Sequence, residues 1–273
     1  MKTICVLVLV LILYVGTTSA QEKGFLDLEG VHRTASILLS LGDADRRPTS
    51  WATGVFLYNY VDNSSPFLLT AKHVFDVAQY VMPMKITKDG TQQTIASGWL
   101  PLRGADGTPK FLTYKGVDIA LLPVPKQALD LRGIKVLSRS NVTYSDSVLN
   151  GDQVLLFGAA VNPLFDKYEG RKQFLVTSGT IALQTDSTYV VDQTAFHGMS
   201  GGLVFRREIA FRPEGDRLYP VNVFTAIGLV AGNVPELTDK YTQVIKVDYV
   251  DSILYKYENV GWGSQAKNAG AKK

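Results

Sequence analysis

The apolar residues of this chain come in short runs separated by turn formers, and that pattern limits the fold more than any other feature. Residues 33–40, 53–60, 66–70, 94–99, 110–114 and 118–123 are such runs, as are 152–157, 173–177, 179–184, 188–191, 202–205, 221–230 and 242–247; many end at Gly, Pro, Asp or Asn. Runs of that length and punctuation read as strands of barrels or sandwiches. The helical signal is thin. Val250, Ile253, Leu254 and Tyr257 recur at helical spacing behind Asp248, which is placed to cap the start, and a short helix is expected after His73. Pro123-Val124-Pro125 and the polar stretch to Gly133 make the best boundary between two halves, and no repeat of solenoid length is visible.

The first twenty residues read as a separate object. Lys2 supplies a positive start, residues 4–15 are almost wholly apolar, and Thr18-Ser19-Ala20 offers small residues before Gln21, the layout of a cleavable secretory signal. The apolar core is shorter than the roughly 20 residues that span a bilayer. The only cysteine, Cys5, leaves with that segment, so the exported chain holds no disulfide and must be stabilised by packing. A hydrophobic content of 46% allows this. The net charge is only +3, with acids and bases interspersed, which predicts neither nucleic acid nor a stable membrane association as partner. The end, 263–273, has no apolar periodicity and is expected to be a flexible tail.

Three blocks carry chemistry: Leu68-Leu69-Thr70-Ala71-Lys72-His73, Val117-Asp118-Ile119-Ala120-Leu121-Leu122, and His197-Gly198-Met199-Ser200-Gly201-Gly202. A serine hydroxyl attacks an acyl carbon only when an imidazole takes its proton, and the imidazole needs a carboxylate to hold its tautomer and stabilise its charge. Alone, each block is weak, since a serine among glycines can be a turn and an aspartate before an apolar strand can be a cap. Together they supply base, orienting carboxylate and nucleophile. His32 reads as structural or solvated, and no metal constellation appears among three dispersed histidines, so no cofactor is expected.

The order His, Asp, Ser, with a Thr-Ala-x-His block, an Asp-Ile-Ala-Leu block and a Gly-x-Ser-Gly-Gly block, resembles the chymotrypsin/trypsin-like serine peptidase family, and within it the disulfide-free bacterial-type branch. The resemblance covers essentially all of the chain after the signal. It implies an all-β fold of two antiparallel six-stranded β-barrels with a C-terminal helix: 1–20 signal peptide, 21–125 first barrel with His73 and Asp118, 126–262 second barrel with Ser200 and the helix. It implies a monomeric endopeptidase acting on polypeptides through His73, Asp118 and Ser200, and the signal layout predicts that it is secreted (extracellular or periplasmic). It also implies an oxyanion hole made by the backbone N–H groups of Gly198 and Ser200. Thr53-Gly54 matches a small residue and glycine that open a family strand, and reads as a strand start without catalytic part. Lys72 stands where the family commonly has alanine and is harmless if it points outward.

By the same resemblance, substrate contacts are expected at Thr194, Ala195, His197, Val230, Ala231 and Gly232. The pocket base, Thr194, is neutral where trypsin-like members have an acid, so an apolar or small residue is expected before the cleaved bond; Asp192, two positions off, keeps basic selectivity as a minor alternative. Met199 cannot accept the ion pair that activates digestive members, so no activating cut beyond signal removal is expected. Asn63-Ser64-Ser65 and Asn141-Val142-Thr143 fit the glycosylation pattern. Two other functions use the same residues: a catalytically silent double-barrel binding protein and an esterase.

Overall fold

The computed structural model describes residues 25–35, 37–58, 66–87, 91–160, 173–214, 217–234 and 240–259. The expected signal peptide, the tail 263–273 and the sequon at Asn63 lie outside them. The first strand expected from sequence is displaced: residues 33–35 belong to a helix, α1 (Leu28–Ala35), and β1 is Ile37–Gly42. The Asp27 carboxylate accepts the Gly30 N–H at 2.7 Å, which caps the helix start. Just before it, Leu26 exchanges both backbone hydrogen bonds with Phe224 in the second half of the chain.

Every residue of β1 is buried, so it lies centrally. It pairs with β2 (Pro48–Tyr58) and β4 (Tyr80–Ile86); β3 (Pro66–Thr70), β5 (Gln92–Thr94), β6 (Leu100–Pro101), β7 (Leu112–Thr113) and β8 (Ala120–Pro123) complete an eight-stranded antiparallel sheet. Its order is β5-β4-β1-β2-β3-β8-β7, with β6 on β4. The expected strand 94–99 is instead the end of β5 followed by a single bridge from Ala96 to Leu129. β4 escaped the sequence reading because Pro83 sits in its middle and argues against an inner strand. The ladder absorbs it opposite Leu39, and its carbonyl still accepts from Ile95.

The second sheet closes as a six-stranded barrel in the order β10-β11-β14-β13-β12-β9, formed by β9 (Gln153–Ala160), β10 (Gln173–Gln184), β11 (Thr188–Val191), β12 (Leu203–Glu214), β13 (Arg217–Asn233) and β14 (Thr242–Lys246). β10 joins two expected strands through Ser178, and at the next residue, Gly179, a Cβ would lie 2.7 Å from Val191. β12 and β13 pair from Leu203↔Leu229 out to Glu214↔Arg217, well beyond the expected 202–205 and 221–230. The outer half of this hairpin is an arm on which Ile209, Phe211 and Leu218 are about two-thirds exposed.

Each sheet has its own core, around Phe56 and Phe75 in the first and Tyr189 and Met199 in the second. A third cluster joins them, running from Val55, Leu69 and Leu121 to Phe157, Phe205 and Leu229. Helix α3 (Asp248–Asn259) buries Val250, Ile253 and Leu254 in that junction, as its periodicity requires. It follows the second barrel yet leans on the first sheet, Tyr257 edge-on to Phe67 at 5.5 Å and Tyr249 against Tyr114 at 5.0 Å. Asp248 differs from the expected cap: its carboxylate accepts from the N–H and hydroxyl of Ser145, tying the helix to the segment before β9. Tyr144 donates to Asp251 at 2.6 Å, and burial with that carboxylate pushes its hydroxyl up to about 12. Asn141 is buried and its side-chain oxygen accepts from Ser138, so this sequon is not a surface acceptor.

Candidate active site

Antiparallel pairing brings the first two residues together. β3 and β8 pair with Thr70 opposite Ala120. His73 follows β3 on α2 (Lys72–Asp76) and Asp118 precedes β8, so both fall at the same end of the sheet. Asp118 grips His73 at two points: the ring Nδ1 lies 2.6 Å from one carboxylate oxygen, and the backbone N–H donates to the other at 2.8 Å. A carboxylate only accepts, so Nδ1 carries the proton and Nε2 is left as the basic nitrogen. Burial works against the Asp118 charge, but the hydrogen bonds from the His73 ring and amide, with the nearby Lys72, outweigh it and hold the carboxyl below its ordinary value of 3.8. Lys72 points outward and pairs with Asp76 one turn on.

The Ser200 loop is held against this edge by Thr53 of β2. The Thr53 N–H donates to the Ser200 carbonyl at 2.9 Å. Its hydroxyl donates to the Gly198 carbonyl and accepts from the Ala159 N–H, both at 2.8 Å, and its carbonyl accepts the Thr70 hydroxyl at 2.7 Å. The residue expected to be a mere strand start therefore fastens β3, the serine loop and β9 together. The sequence signal was a hydroxyl before a glycine in an otherwise apolar strand. Gly201 sits so close that a Cβ would lie 2.0 Å from the Thr70 hydroxyl and 2.2 Å from the Thr53 carbonyl.

Residues 196–199 form a turn closed by the Met199 N–H on the Phe196 carbonyl, with Gly198 at φ +92°, a value suited to glycine. The amides of Met199, Gly201 and Gly202 donate to Phe196, Val230 and Met199. Among the described residues, those of Gly198 and Ser200 donate to no protein acceptor. Met199 itself is fully buried against Gly158. The Ser200 hydroxyl donates to the Ala231 carbonyl at 3.2 Å, and no hydrogen bond joins it to His73.

The expected substrate contacts divide. Ala231 lies at a bulge in the β13–β14 ladder, between Val230 and Gly232, and flanks Ser200. Thr194 and Ala195 lie on the segment leading into the serine loop, and His197 is exposed beside it. Val230 does not fit the expectation: its side chain is in the barrel core and its N–H and carbonyl bind Gly202 and Gly201. Asp192 is on the outer face, accepting the Thr180 N–H and lining a groove with Arg207 and Ser178, so it gives the pocket no carboxylate. Sequence reasoning passed over Asn233 and Thr242: the Asn233 side-chain oxygen accepts the Ala195 N–H at 3.0 Å, and the Thr242 hydroxyl donates to the Gln193 carbonyl. His32 packs edge-on to Phe157.

No family model matches the chain, and no curated protein matches it. Solved structures do. A serine endoprotease from Yersinia pestis superposes with a TM-score of 0.51 at 16% identity, over 84% of this chain and 65% of that one. The Rv3671c protease from M. tuberculosis, in its active form, gives 0.52 at 15% identity, over 82% and 81%. The chain thus spans slightly less than two thirds of the Yersinia protein. The fold is that of the chymotrypsin-like serine proteases, mostly β-strands in two antiparallel sheets with a short C-terminal helix.

Proposed function

We propose that the chain is a secreted serine endopeptidase whose nucleophile, base and orienting acid are Ser200, His73 and Asp118. The observation that carries the reading is the two-point grip of Asp118 on His73 beside a serine loop with two uncommitted N–H groups. His73 Nε2 takes the Ser200 proton as the hydroxyl oxygen bonds to the scissile carbonyl carbon. The carbonyl oxygen becomes an oxyanion, which the Gly198 and Ser200 amides stabilise; one such donor is typically worth about 10²–10³ in rate. The imidazolium returns the proton to the leaving amine as the C–N bond breaks, leaving an acyl ester on Ser200. Water, deprotonated by the same nitrogen, hydrolyses that ester and restores the hydroxyl. Export rests on the first twenty residues, and a secreted chain beginning at Gln21 would support it.

Peptide turnover by single and double variants tests the mechanism. Ser200→Ala and His73→Ala should each abolish nearly all turnover, and the double variant should lose no more, because the two act as one unit. A much larger loss in the double variant would separate them. One observation favours a second reading, a silent binding protein: the Ser200 hydroxyl rests on Ala231 and not on the imidazole. That reading expects folded protein without turnover of peptide or ester.

A further inference from the structure

Two segments flank Ser200: residues 193–197, which lead into its turn, and the end of β13, 231–233, where the Ala231 carbonyl accepts the Ser200 hydroxyl. A substrate side chain must enter between these walls, yet they are laced together. Asn233 and Thr242 are paired across the β13–β14 ladder, so their side chains share one face of the sheet. From that face Thr242 donates to the carbonyl of Gln193, and the Asn233 carboxamide accepts the N–H of Ala195 at 3.0 Å. The two bonds tie two residues of the segment leading to Ser200 to the end of β13 and the start of β14, so the two segments are joined rather than parted beside the serine. Thr242 is fully buried and Ala195 nearly so, so the wall has little room to retreat.

We infer that Asn233 is the specificity-determining residue of the cleft: its bridge to Ala195 floors the pocket and restricts the residue before the cleaved bond to glycine, alanine or serine. This narrows the apolar-or-small preference drawn from Thr194 and rests on the proposed reading of the cleft. A larger residue must break the Asn233–Ala195 bond and leave the Ala195 N–H unpaired against its apolar surroundings. Discrimination that comes from unpairing a polar group exceeds the roughly 10–200-fold that one methylene gives in an open apolar pocket.

The test measures binding, so it does not depend on turnover. N-acetylated tetrapeptides ending in alanine or in phenylalanine are titrated against Ser200→Ala and against Ser200→Ala carrying Asn233→Gly or Asn233→Ala. The Asn233 chain should bind the alanine peptide at least about tenfold more tightly, and both substitutions should reverse the order. Equal binding of the two peptides by the Asn233 chain, or a ratio unmoved by both substitutions, would overturn the inference. Fluorophosphonate labelling of the unaltered chain separates this from the enzyme reading. Labelling without peptide preference sinks the pocket assignment alone, and preference without labelling sinks the hydrolase alone.

Discussion

Thr53 uses its amide, hydroxyl and carbonyl to join residues that are far apart in sequence, Thr70, Ala159, Gly198 and Ser200. Thr53→Val keeps its shape but strands the Ala159 N–H and removes a donor from Gly198, at about 1–3 kcal/mol for each buried group left unpaired. Urea unfolding should show that loss and peptide assays a lower kcat, while Thr53→Ser should recover both; a serine variant as poor as valine would mean that the methyl, not the hydroxyl, matters. Asp118→Asn should lower kcat by about 10⁴ by favouring the wrong imidazole tautomer. It should also change the acid limb of stability. Because the folded carboxyl lies below 3.8, its contribution is complete above that pH and is lost as pH falls through the lower, folded value. Melting curves of Asp118→Asn and the unaltered chain should therefore differ at pH 6 and converge in stronger acid; a gap that widened with acid would give the shift the opposite sign.

Among the elements, β3 and β11 were legible to the residue because all their side chains are buried between clear turn signals. β4 was not, since Pro83 reads as a breaker until a neighbour can be seen to accept it. The arm of β12 and β13 was invisible for a related reason: Pro213, Pro220 and alternating charges look like loop, and the cross-strand pairing that makes them strand cannot be seen in one segment. Of the site, the three chemical residues stood out because each has a local motif. Thr53 and Asn233 did not, because their partners lie in distant segments. The arm and barrel should also respond differently to truncation. Ile209→Ser and Phe211→Ser should move stability by no more than about 0.5 kcal/mol, as exposed changes do. Phe205→Ala, which removes a buried ring packed edge-on to Phe157 at 5.4 Å, should cost about 3–5 kcal/mol in denaturant unfolding. Equal effects would mean that the arm is covered in solution.

At the scale of the whole molecule the candidate site belongs to neither sheet alone. The first supplies His73 and Asp118, the second Ser200, and the Thr53 clamp and shared apolar cluster set the distance between them. The serine loop is held from within, by buried Met199 and the Gly198 turn, so a free N-terminus should not be needed. Protein beginning at Gln21 and the same protein with one or two added residues should have nearly equal kcat; a strict need for a further cut would show that the loop is switched by the terminus. In the proposed mechanism Ser200 is a nucleophile activated by His73 and Asp118. The decisive experiment treats the folded chain with a fluorophosphonate and maps the adduct by mass spectrometry. A single adduct on Ser200 is expected, formed far more slowly in His73→Ala, whereas a folded chain that stays unlabelled, or carries its adduct elsewhere, would overturn the assignment.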